Sequence, residues 1–156
     1  MGGALRVGAS GARSPADTPS AQPPRSDAKT TGRVSKLARH RVPAKINEAQ
    51  VDALVSALDA LLVREEPFAI VIELDDEVGM TAPLRRKLAL ALDQRARAIE
   101  AHCAGLAFVA RTPTATGAHT AIRWLAPTAC PERVFTSVAE AEAWARGHLD
   151  RALEGR

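Results

Sequence analysis

From residue 46 onward the apolar positions switch repeatedly between the three-to-four spacing of a helix and the short, nearly unbroken run of a buried strand. Val51, Leu54, Val55, Leu58, Leu61 and Leu62 fall on one helical face, and Asn47 with Gln50 forms a capping box at its start. Pro67 opens the run Phe68, Ala69, Ile70, Val71, Ile72, Glu73, Leu74, whose β-branched and continuous character predicts a parallel strand covered on both faces. A second helix is predicted from about Thr81 to Cys103, with Leu84, Leu88, Leu92 and Ile99 on one side and Arg85, Arg86, Arg95 and Arg97 on the other. Thr81 is its N-cap, and Pro83 is tolerated in the first turn.

Gly105 to Ala110 reads as a second buried strand, Thr112 to Gly117 as a turn, and Ala118 to Leu125 as a short helix. Pro127 and Pro131 bound the connection to a last strand, Arg133 to Thr136. Ser137 and Glu140 make a capping box for a final helix whose inner face is Val138, Ala141, Trp144, Ala145, His148 and Leu149. That makes three βα units preceded by one helix. A strand for a fourth unit has one candidate, Arg33 to Val42, and the poor alternation of Arg39, His40 and Arg41 places it at a sheet edge. The predicted class is α/β: a small, mostly parallel sheet of about four strands, built from successive βα units with right-handed crossovers and flanking helices.

Composition divides the chain in two. Residues 1–45 carry nine basic residues against two acidic, a charge of +7, while the remainder carries -4 and the whole +3. Residues 1–32 read as a disordered basic tail, 33–45 as an edge strand with a linker, and 46–156 as the folded domain. On this reading residues 1–44 add little to thermal stability. The tail's charges are spread thinly and it has no aromatic residue, so nucleic acid is not the expected partner. Met1 to Gly11 lacks the apolar core of a secretory signal, and the Arg- and Ser-containing tail lacks the amphipathic stripe of a transit peptide. The longest apolar run, Cys103 to Ala110, is far below the roughly 20 residues of a membrane span, so no membrane insertion is expected. Two cysteines 27 positions apart make neither a disulfide framework nor a zinc site. They read as small buried residues in a reduced, cytoplasmic protein.

Ligands of open α/β sheets sit beyond the carboxyl ends of the strands. After Leu74 stand Asp75, Asp76 and Glu77, which are suited to a cation, to acid–base work, or to a solvated turn before a helix N-terminus. A phosphoryl-accepting receiver domain would also need an Asp and a Lys after later strands, where only Thr112 is found. After Ala110 the stretch Arg111, Thr112, Pro113, Thr114, Ala115, Thr116, Gly117 runs into a helix, a place for an anion or simply a capped turn. It lacks the Gly-Lys-Ser/Thr ending of a Walker loop. No two of His40, His102, His119 and His148 lie three or four apart, so no metal set is predicted. Trp124 and Trp144 read as core packing residues. No nucleophile elbow, dinucleotide fingerprint or zincin motif is present, and no catalytic residue or cofactor is expected.

The segments "PFAIVIELDD", "HCAGLAFVARTPTATGAHTAIRWLAP" and "RVFTSVAEAEAWAR", with the first helix, resemble the STAS-like domains (sulfate transporter and anti-sigma factor antagonist), in a bacterial branch, over about residues 46–150. Members of that family generally bind a partner or a small ligand without catalysis. Anti-sigma antagonists are switched by phosphorylation where a helix follows a central strand, in a loop close to Asp-Ser-Ser-Gly. The matching segment here is Asp75 to Thr81, in which Thr81 is the one hydroxyl at the helix start; the paired serines and their glycine are missing. The resemblance therefore implies a non-enzymatic regulatory or protein-interaction module whose partner protein meets Asp75, Asp76, Glu77 and Thr81. Its alternative is a small-ligand or anion-binding domain using Arg111, Thr112, Thr114, Thr116 and Gly117, since related lipid carriers share the fold.

Overall fold

Phe68–Leu74 is extended, as its β-branched run dictates, and stands second in a four-stranded sheet. The structure, a computed structural model, describes residues 36–155. The tail predicted over residues 1–32 and the first residues of the candidate strand lie outside that range. In chain order the elements are β1 (Leu37–Val42), α1 (Glu48–Leu62), β2 (Phe68–Leu74), α2 (Ala82–Gln94), α3 (Ala96–His102), β3 (Cys103–Val109), α4 (Pro113–Leu125), β4 (Glu132–Phe135) and α5 (Val138–Glu154). The sheet order is β1-β2-β3-β4 and every pairing is parallel, so the α/β class and the succession of βα units are as the periodicity predicts.

Side-chain alternation sorts the core into two faces. Phe68, Ile70 and Leu106 pack with Ile99 of α3 and with Leu58 and Leu61 of α1. Toward the carboxyl ends of the strands the same face continues as Leu74, Val78, Ala110 and Ala115 of α4. Ala69, Val71, Ala107 and Val109 face the other way, where Ala141, Ala145 and Leu149 of α5 cover them. The residues on that second face are small, so α5 sits close. A Cβ on Gly105 would come within 3.1 Å of Trp144 Cζ3, which explains the glycine in a buried strand. Trp144 also meets Phe135 and His148 with ring centroids 5.8 and 4.1 Å away, in keeping with its expected packing role.

The capping box of α1 is present, with Asn47 and Gln50 exchanging bonds of 2.8 and 2.9 Å. The predicted box of α5 is absent: Ser137 holds the N-cap position without a side-chain capping bond, and Glu140 remains as an acid in the first turn. The single helix expected from Thr81 to Cys103 is broken at Arg95 into α2 and α3. There the Arg95 amide donates to Leu92, and the guanidinium takes over the Ala91 carbonyl at 2.8 Å. The same guanidinium binds both carboxylate oxygens of Asp59 on α1, which holds that carboxyl below its ordinary range. Such a break leaves the apolar periodicity intact and is invisible to it.

Cys103 and Cys130 are both buried, as expected, but they are also joined in a disulfide with a Cα–Cα distance of 5.7 Å, which corrects their reading as independent residues. The cause is strand pairing: the Leu106 amide bonds the Pro131 carbonyl and draws the segment before β4 alongside the start of β3. With the two sulfurs joined, the cysteines no longer argue for a reducing surrounding. No helix among the described residues is long and apolar enough to cross a membrane.

β1 pairs with β2 along its whole length, from Leu37 opposite Ala69 to Val42 opposite Leu74. Contrary to the expectation that residues 1–44 are dispensable, their deletion should cost about 2–4 kcal/mol of stability through lost pairing and burial. A chain starting at residue 36 should keep that stability. Urea unfolding of the two truncations checks this, and equal midpoints would refute it.

Burial lowers the His148 pKa from its ordinary value, and the positive charge of Arg151 lowers it further, against an opposing hydrogen bond that the imidazole donates to the Ala104 backbone. The folded chain then takes up that proton less readily than the unfolded chain. The associated stability is complete above the unfolded value near 6.5 and is lost as pH falls through the lower, folded value. Melting temperatures measured from pH 8 down to about pH 5 should decline, and His148→Gln should flatten that decline. An unchanged slope in the variant would refute this account.

Candidate functional site

The loops after β2 and β3 meet at the carboxyl end of the sheet. In the first, the Asp75 amide bonds Val42 and its Oδ1 accepts from the Glu77 amide at 3.1 Å. Val78 turns inward into the core, and the Gly79 amide bonds the Ala44 carbonyl at 2.9 Å. Asp76 and Glu77 are left exposed on a loop pinned from below. Among the described residues no group of three or more His, Cys, Asp or Glu is placed to hold a metal ion. Thr81 sits at the N-cap position of α2, exposed, with its side chain making no capping bond.

In the second loop Arg111 pairs with Glu73 at 2.9 Å. The predicted turn Thr112 to Gly117 is instead the cap and first turns of α4: Thr112 is the N-cap and Pro113 occupies the first turn. Thr112 Oγ1 accepts from the Ala115 amide at 3.2 Å and donates to the Asp76 carbonyl at 2.7 Å. It is thus the direct bond between the two loops that the sequence singled out.

This arrangement weakens the anion reading. Pro113 has no amide proton, the Ala115 amide is taken by Thr112, and the Thr116 amide bonds the Thr112 carbonyl. The hydroxyls of Thr116 and Thr120 donate to backbone carbonyls at 3.1 and 2.9 Å. Arg111 is already opposed by Glu73. Thr114 and Gly117 are exposed in the first turns, and a Cβ on Gly117 would meet nothing.

Beside this surface lies an open cleft of about 670 Å³ along α4, running from Thr112 past Thr116, Thr120 and Ala121 to Trp124, with Thr136 at the end of β4. Trp124 is 84% exposed, which overturns its assignment to the core. Once α4 begins at Pro113, the inward positions are Ala115, Ala118, His119 and Ile122, a spacing that leaves Trp124 on the outside. His119 takes the buried place, its ring tilted against Phe108 with centroids 4.3 Å apart and bonded to Glu132 at 2.6 Å. Glu132 also accepts from Arg123 and Thr128, so this buried carboxylate is held by three donors. This cluster leaves no signal in the sequence, because its members are scattered from residue 119 to 132 without a motif.

Replacing Thr112 by Val removes both the α4 cap and the link to Asp76. The expected loss is about 1–2 kcal/mol, read from the denaturant midpoint. Inorganic phosphate in excess should leave the wild-type melting temperature where it is. A phosphate-dependent rise abolished in Thr112→Val would restore the anion site.

Searches against protein-family models, curated proteins and solved structures find no match to this chain.

Proposed function

We propose that the chain is a STAS-like, non-enzymatic interaction module whose partner protein docks on the loop Asp75 to Thr81 and the start of α2. The observation that carries this reading is the state of Thr81: exposed at a helix N-terminus, its side chain is not spent on capping, while backbone hydrogen bonds from Asp75 and Gly79 hold the loop before it. A phosphate there would meet the positive end of the helix dipole and the repulsion of Asp76 and Glu77, so its addition would change the surface charge strongly. The fold is in keeping with the resemblance, because four parallel strands in sequential order, each followed by helix, make four βα turns. Pairing of Arg111 and use of the threonine hydroxyls within the backbone weigh against the anion-binding alternative. Residence in the cytoplasm and a bacterial origin belong to the same proposal.

Affinity capture from a native lysate, with wild type, Thr81→Ala and Thr81→Glu as baits and mass spectrometry as readout, tests the reading. A protein held by wild type and Thr81→Ala and lost at least tenfold with Thr81→Glu is the expected outcome. Identical protein sets on all three baits would sink it.

A further inference from the structure

The sheet ends at β4, and one side of this strand carries no partner among the described residues. The carbonyls of Pro131 and Phe135 accept from Leu106 of β3 and from Ala110 just after it. Because a strand alternates its hydrogen-bonding direction, the amide and carbonyl groups of Glu132 and Val134 point away from β3. Val134 itself is 37% exposed. An open edge of this kind is a template for another extended chain.

Two further observations specify what would lie on it. The cleft along α4 runs past Thr136 at the end of β4 to the exposed ring of Trp124, with Leu125 beside it also exposed, so the side chains of an added strand that face α4 would enter an apolar trough. Of the two charged side chains on β4 itself, Arg133 is the exposed one. Arg123 reaches Glu132 on the α4 face while remaining 53% exposed. Arg133 lies over the Phe135 ring at 5.2 Å on the α5 face. Glu132, the acid among them, is itself buried beneath its three donors.

We infer that β4 and the α4 cleft accept an extended, acidic segment of a partner protein as a fifth strand, its apolar side chains seated against Trp124 and its carboxylates, on the α5 side, met by Arg133. This surface is separate from the Thr81 loop, and the inference does not depend on that reading.

The test is calorimetric titration of the full chain with a capped heptapeptide of alternating Glu and Val, and with its counterpart carrying Lys in place of Glu. Saturable binding of the Glu peptide, at least tenfold tighter than the Lys peptide, is expected. Val134→Pro removes an amide that faces away from β3, so it should keep the melting temperature while weakening the Glu peptide at least tenfold. If that variant fails to fold, Arg133→Glu, altered at an exposed side chain, should show a comparable weakening. Trp124→Phe should abolish the change in tryptophan emission that accompanies binding. Absence of saturable binding, equal affinity for both peptides, or undiminished binding by a folded Val134→Pro chain would overturn the inference. A concentration-dependent dimer in sedimentation, lost in Val134→Pro, would also overturn it by assigning the edge to a second copy of the chain.

Discussion

Four parallel strands in the unbroken order β1-β2-β3-β4 constrain the rest of the molecule. Each crossover steps one place in the same direction, and crossovers of the usual right-handed sense then all pass over one side of the sheet. The packing agrees: among the described residues, α1, α2, α3 and α4 contribute to the core on one face and α5 closes the other. A single helix covers four strands only if it sits close over the two central ones. The α5 side of β2 and β3 accordingly presents Ala69, Val71, Gly105, Ala107 and Val109, and Gly105 makes room for the ring of Trp144.

The same winding brings the strand ends together. The loops after β2 and β3 emerge side by side, and Thr112 ties them with one hydroxyl that both caps α4 and reaches Asp76. This economy of donors shapes the chemistry of the region. Hydroxyls already given to backbone carbonyls have no proton left for a ligand, so a threonine-rich helix start becomes a structural joint. What remains outward is the acids before α2, Thr81, the cleft with Trp124 and, among the described residues, the unpaired edge of β4.

β4 is short, but it is held firmly at several points. Cys130 is joined to Cys103 just ahead of it, Glu132 is bound by His119, Arg123 and Thr128, and Phe135 packs under Trp144. Among the described residues no further strand pairs with the outer side of β4.

The sequence by itself determined the α/β class, the buried strand Phe68–Leu74, the capping box of α1 and the inner face of α5, because these depend on spacing within a few residues. It marked both loops at the strand ends, since that position follows from the class. Tertiary structure alone decided the break at Arg95, which turns on an arginine meeting Asp59 of another helix. It also decided the pairing of Cys103 with Cys130 and the burial of His119 in place of Trp124. These depend on which residues distant in the chain the sheet brings side by side, and local periodicity carries no record of that.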